Sequence, residues 1–280
     1  MKTNRLLIVL FILVLLISCY SKKESITKKT QYDTQDFITM INQNDINEIQ
    51  NCIHENFNIH ETIGENKITF LDYAIKENKE EISLILISNG IDVNHVDKTG
   101  KTSFYKAIGH MSPNLLDAFL EHGVNYRSIV HKNMNYFVYM LYKRDYSTAY
   151  NFITHNSVFE YLKNDKNLII NLIYYWNSDW SPEIGNFLIQ NKYQFSTEEP
   201  YYFYAIDEYS LSAVKWLESI GIKKSEKYYE ERYNLYFTPY EYAENKYLEM
   251  SNFLGKDYAY SQDDDEVLAI REIINYLNDN

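Results

Sequence analysis

Apolar residues in this chain recur three and four positions apart over short stretches, and the stretches themselves recur. Leu116, Phe119 and Leu120 stand before Gly123; Ala149, Phe152 and Ile153 hold the same places before Asn156. Ile184, Phe187 and Leu188 precede Asn191, and Ile49, Cys52 and Ile53 precede Asn56. Val214 and Leu217 precede Gly221 with Glu218 in the third place, while Ser83, Leu86 and Ile87 precede Gly90 with Ile82 alongside. Spacing of i, i+3 and i+4 lays one buried stripe along an amphipathic helix, so each stripe predicts a short helix. The glycine that follows suits the left-handed residue just past a helix end, a conformation that asparagine tolerates next best. Asn56, Asn156 and Asn191 are expected in that role.

The stripes belong to a longer period. Thr69-Phe70-Leu71-Asp72-Tyr73-Ala74 returns 33 residues later as Thr102-Ser103-Phe104-Tyr105-Lys106-Ala107. In both copies the alanine lies 16 residues before the glycine, as Ala205 does before Gly221. Thr238-Pro239-Tyr240-Glu241-Tyr242-Ala243 opens a further copy, and Asp97-Lys98-Thr99-Gly100 forms an Asp-x-x-Gly turn. These residues resemble ankyrin repeats, with their Thr-Pro-Leu-His-x-Ala opening, a second helix, and a Gly-Ala-Asp-x-Asn loop.

The resemblance implies an all-α ankyrin-repeat solenoid over residues 35–280. About seven helix-turn-helix units are joined by short hairpin-like loops, near 35–66, 67–98, 99–131, 132–166, 167–197, 198–232 and 233–280. An insertion at about 246–264 separates the last opening from Ile270, Ile273, Ile274 and Leu277, which read as its second helix. One helix pair cannot bury its stripe alone; stacked neighbours make a continuous core. Threonine can cap the first helix, and the small alanine lets the two helices approach closely. Met40, Met140 and Tyr175 are read as standing in the alanine position, where the packing must spread. The family's histidine is replaced by Asp72, Tyr105, Phe203 and Glu241, which removes the usual hydrogen-bond ties between adjacent loops and predicts uneven stability along the array.

Composition narrows the functional classes. The 280 residues carry 27 Lys plus Arg against 39 Asp plus Glu, a formal net charge of −12, which leaves little to exchange for the counterions around nucleic-acid phosphates. A basic protein partner fits that charge better. Only 8 Gly and 4 Pro suit a helical chain with short connections, and the 28 Tyr are read mainly as core and helix-edge residues.

The N-terminus adds an address. Lys2 and Arg5 lead into the apolar run Leu6 to Ile17, which as a helix covers roughly 18 Å and falls short of a membrane core of roughly 30 Å. A secretory signal follows from that pattern. The run ends Leu16-Ile17-Ser18-Cys19, which resembles the lipobox of bacterial lipoproteins. The resemblance implies a signal peptide over 1–18, lipid (palmitate included) on Cys19, a tether over 19–34, and export to a bacterial membrane. Multiple acyl chains would be needed to hold the chain firmly.

Catalytic constellations are sparse. No G-x-G-x-x-G, Walker-type phosphate loop, H-E-x-x-H or G-x-S-x-G occurs, and no metal or cofactor is expected. Cys52 takes the place of a leucine in a buried stripe and reads as a small hydrophobe. Asp263 to Glu266 stand before a helical stripe, where acids complement the positive helix end. What remains is surface. The ankyrin resemblance implies a non-catalytic, monomeric protein-binding scaffold that meets its partner through loop tips and the exposed side of each first helix. By position the loop candidates are Glu65, Asn66, Lys98, Thr99 and Lys101, and the helix candidates are Lys76, Glu77, His110, Asp207 and Glu208. The alternative is an envelope enzyme or small-ligand receptor using the C-terminal insertion.

Overall fold

The computed structural model describes residues 32–196, 198–224, 226–253 and 265–279. The signal peptide, Cys19, nearly all of the tether and the later part of the insertion lie outside the described residues. The chain divides into two compact units at Lys106/Ala107.

In the first unit, α1 (Thr34–Gln43) and α2 (Ile46–His54) form one helix pair, and α3 (Phe70–Lys76) and α4 (Glu80–Ser88) form the next. A hairpin of β1 (Thr62–Ile63) and β2 (Ile68–Thr69) leads into the second pair, with Ile63 opposite Ile68. The short α5 (Ser103–Ala107) runs across the division. Local chemistry sets these starts. Asp33 caps α1 and exchanges hydrogen bonds with Asp36, and Thr69 does the same for α3 with Asp72. Phe37, Phe57 and Phe70 fill the space between the pairs, with ring centres 4.6, 4.7 and 5.6 Å apart. Cys52 is fully buried on α2, and its thiol is pushed up to about 12, first by burial and then by Glu48 and Glu55. It is a packing residue.

The second unit stacks further pairs. Its first helices are α7 (Tyr136–Tyr142), α10 (Leu168–Tyr174), α12 (Tyr201–Asp207) and α14 (Pro239–Phe253), each packed on the next. The second helices are α6 (Pro113–Glu121), α8 (Tyr146–Thr154), α11 (Ser181–Gln190), α13 (Leu211–Ser219) and α15 (Asp265–Asp279). Among these α6 packs on α8, α8 on α11, and α13 on α15. A second hairpin, β3 (Tyr228–Glu230) with β4 (Leu235–Phe237), precedes α14. Thr238 and Glu241 exchange capping hydrogen bonds at the start of α14. Ile270, Ile273 and Leu277 are buried along α15, whose first turn carries Asp265 and Glu266.

Several details depart from the sequence reading. An additional helix, α9 (Asn156–Leu162), takes the place of a hairpin-like loop after α8. Its Val158, Phe159 and Leu162 are buried, so one short amphipathic turn replaces an extended loop. Asn156 therefore starts a helix and is not left-handed; of the three expected asparagines only Asn56 is, at φ 64°. At Asn191 the role passes one residue on, to Lys192 at φ 61°.

Tyr175 is likewise not the alanine equivalent. Ala74 and Ala205 each lie three residues before their helix C-cap, and counting from the C-cap of α10 gives Leu172, fully buried. The fixed count from Asn191 failed because residues 175–180 connect α10 to α11, whereas residues 77–79 suffice between α3 and α4. Within the expected insertion, residues 246–253 are helical and simply lengthen α14.

Candidate functional site

The loop tips of the first unit are held together. Lys98 N donates to Asn66 O at 2.9 Å, and a ring nitrogen of His95 meets Lys67 O at 2.7 Å. The missing family histidine is thus compensated from another position. Beneath the tips, Lys106 Nζ bridges two buried carboxylates, Asp72 at 2.9 Å and Asp97 at 2.7 Å. Ser103 Oγ donates to Asp72 at 2.8 Å. Burial alone would raise the Asp97 carboxyl, but donors from Lys106, Thr99 and Lys101 outweigh it and hold the group well below the usual carboxylate range.

This network sorts the loop candidates. Thr99 is exposed as well, but its N–H and Oγ1 are both committed to Asp97 at 2.7 and 2.6 Å. Glu65, Asn66, Lys98 and Lys101 remain on the outer surface, with Lys101 Nζ 5.5 Å from the centre of the Tyr105 ring. Lys76, exposed at the end of α3, pairs with Glu77 at 3.2 Å.

In the second unit, tyrosine does much of the same work. Tyr126 OH donates to Ser157 O at 3.1 Å, Tyr193 OH to Asp165 O at 3.0 Å, and Tyr202 OH to Ile222 O at 2.9 Å. Phe203 on α12 stacks on Tyr242 of α14 at 4.0 Å and 7°. Asp207 is consumed internally by Lys246 Nζ at 2.6 Å, Tyr242 OH at 2.9 Å and Arg232 at 3.5 Å. His110 is exposed in the turn before α6. Glu208, the C-cap of α12, is a predicted residue that lines a cavity.

That cavity, of about 470 Å³, lies along the C-terminal ends of three successive first helices. From α7 comes Tyr142, followed by Arg144 in the left-handed turn (φ 59°) and Tyr146 at the start of α8. From α10 come Tyr174, Tyr175 and Trp176, and from α12 comes Glu208. Tyr142 and Tyr174 are 45% and 57% exposed, so these rings face outward and are not core. Tyr175 meets Tyr174 and Tyr142 edge-on at 4.9 and 6.1 Å. Its phenol is raised by burial first, then by Tyr174, Tyr142 and Glu208. The Glu208 carboxyl is also raised, by burial and then by Asp207, with Lys246 opposing.

The sequence reading missed the aromatic residues here, although it held the means to find them. It carried Lys76 and Glu77 over as first-helix candidates, and the structure makes them the last helical residue and the C-cap of α3. The same places in the next pairs are Tyr142 on α7, then Tyr174 and Tyr175 on α10. The register was in hand at Met140, two residues before Tyr142, and was misplaced in the next repeat by putting Tyr175 in the alanine position.

A second cavity, also about 470 Å³, opens between α14 and α15 and is lined by Tyr247, Leu248, Arg271 and Ile274 among others. Arg271 is held there by the Tyr247 hydroxyl at 2.7 and 3.1 Å. Among the described residues no group of three His, Cys, Asp or Glu could hold a metal ion, and no helix is long and apolar enough to cross a membrane.

No protein-family profile matches this chain, and no curated protein is similar to it in sequence. Solved structures are similar in fold. The human ASB11 ankyrin repeat domain superposes with a TM-score of 0.50 at 12% identity, covering 85% of this chain and 96% of that one. The ankyrin repeat domain of Bcl-3, a member of the IkappaB protein family, gives 0.49 at 15% identity, covering 84% and 97%. With the helix pairs described above, the likeness to ASB11 shows that the chain has the all-α ankyrin-repeat fold.

Proposed function

We propose that this chain is a non-catalytic protein-binding scaffold, monomeric and held at a bacterial cell envelope by lipid on Cys19. The observation that carries the reading is the repeated presentation of side chains from successive helix pairs. In the first unit neighbouring loop tips are tied, Lys98 to Asn66, so Glu65, Asn66, Lys98 and Lys101 share one surface. Such a surface suits a protein or peptide, because contacts from several repeats add along its length. The acidic chain favours a basic partner.

The test uses the full chain as bait in envelope extract, followed by mass spectrometry, beside a Lys98→Glu, Lys101→Glu bait. A protein held by the first and lost by the second supports the loop-tip site; reproducible failure to capture any protein sinks the scaffold reading. The anchor has its own test. Cys19→Ala should abolish palmitate labelling, and a mutant that still takes up label removes Cys19 from the account.

The cavity between α14 and α15 favours a second reading, a small-ligand receptor beside the insertion. A saturable, ligand-induced rise in melting temperature would support it.

A further inference from the structure

Elsewhere in the second unit the chain covers tyrosine faces with its own cations. Lys246 Nζ lies 4.7 Å from the Tyr209 ring centre, Arg271 5.2 Å from that of Tyr247, and Lys215 5.3 Å from that of Tyr276. Among the described residues, no lysine or arginine lies over Tyr142, Tyr174, Tyr175 or Trp176, although the Tyr142 ring stacks with His131 at 5.7 Å and with Tyr139 at 6.1 Å. Their rings instead line an open cleft together with the Glu208 carboxylate, which forms no ion pair among the described residues. The phenol oxygens of Tyr142, Tyr174 and Tyr175 likewise make no hydrogen bond among the described residues.

Three features of this cleft favour the same guest. Electron-rich ring faces attract a cation at their centres, most strongly when the site is partly desolvated. Glu208 adds a carboxylate to the same lining, where the phenol oxygens are further acceptors. The helices α7, α10 and α12 all end here, and the free carbonyl groups of a helix C-terminus carry partial negative charge. A guanidinium fits the set better than an ammonium. It is planar, stacks on rings, and offers several donors that can meet a carboxylate and neighbouring phenols together. Arg144, beside Tyr146, would repel a second cation at close range, yet it can donate to backbone carbonyl oxygens of the same segment.

We infer that the cleft at the ends of α7, α10 and α12 receives an arginine side chain from an extended segment of the protein partner, clasped by Tyr142, Tyr174, Tyr175 and Glu208. This deepens the scaffold reading and rests on it for the identity of the guest as protein.

The probe is the peptide Ac-Gly-Arg-Gly-NH2, titrated into the full chain with ¹³C-labelled tyrosine and tryptophan rings and followed by NMR. The comparison peptide carries citrulline, which keeps the shape and loses the charge. Saturable shifts of Tyr142, Tyr174 and Tyr175 are expected, with binding about tenfold weaker for citrulline. Glu208→Gln and Tyr174→Ala, both at exposed positions, should keep the wild-type melting temperature and weaken binding by a similar factor. Equal binding of both peptides, or no saturable shift, overturns the inference. So does a saturable shift of the same rings with chitotriose in place of the peptide, which would make the cleft a glycan site.

The two readings separate in the capture experiment. A partner retained equally by wild type and by the Tyr174→Ala, Glu208→Gln chain removes the cleft and leaves the scaffold standing. Peptide binding at the cleft with no protein captured does the reverse.

Discussion

The two units reach the same repeat architecture with different chemistry. In the first, neighbouring helix pairs are joined by a buried cation between two carboxylates, Asp72–Lys106–Asp97, and by a histidine reaching a loop carbonyl. In the second, tyrosine hydroxyls on backbone carbonyls and aromatic rings stacked between first helices join the pairs, beside one charged joint at Asp207, Lys246 and Arg232. The difference teaches how a repeat protein can lose its consensus side chains and keep its fold. The fold needs each loop and helix start to have a partner, and either charged or aromatic groups can supply one. It also gives the abundance of tyrosine a structural reason, since each ring fills volume and its hydroxyl closes a hydrogen bond.

The largest expected effect breaks the charged joint. Lys106→Met leaves two buried carboxylates facing each other without their cation, which should destabilise the first unit by about 3 kcal/mol. Cys52 reports that unit, since its buried thiol reacts only when α2 is exposed. Trp176, Trp180 and Trp216, the chain's three tryptophans, report the second. In a Cys19→Ala background, disulfide-reagent uptake at Cys52 should accelerate while the tryptophan unfolding midpoint stays put. Equal loss in both reporters would mean the joint is not local.

A Gly185→Ala change probes the other side. Alanine ordinarily strengthens a helix, but a Cβ at this site on α11 would overlap the buried Trp216 ring. A net loss of about 1–3 kcal/mol is expected, seen in the tryptophan transition and not in Cys52 uptake. A gain in stability would show that the ring can move aside.

pH sharpens the contrast further. Asp97 is depressed in the folded state, so its contribution is complete above the unfolded value of about 3.9 and is lost as pH falls towards the folded one. Tyr193, Tyr202 and Tyr242 are raised by burial, so their contribution is complete below the unfolded value of about 10 and is lost as pH rises through the folded one. Acid should therefore open Cys52 before it shifts the tryptophan transition, whereas alkali should loosen both units, because the raised Cys52 thiol loses its contribution above an unfolded value of about 8.5 and the tyrosines above about 10. The reverse order in acid would remove Asp97 as the cause. The smallest effect is expected from Tyr193→Phe, which keeps the ring and deletes the bond to Asp165, at about 1 kcal/mol by denaturant titration.

Helix positions and buried faces were legible in the chain itself. The i, i+3, i+4 stripes placed Phe152, Ile184, Leu188 and Leu217 in the core, Thr69 and Thr238 announced helix starts, and Cys52 read correctly as a small apolar residue. Those features depend on residues within one or two turns of each other, so local spacing is enough to specify them. The candidate cleft was not legible, even though every residue in it could be named. Its assembly depends on the longer connection at 175–180, which slides Tyr175 from a core position to a helix end, and on the stacking that brings α7, α10 and α12 side by side. Packing likewise decided that Asp207 would be consumed internally while Glu208 was left facing open space. A fixed count along the chain determines a helix; which surface residues of separate helices meet is determined only when the helices pack.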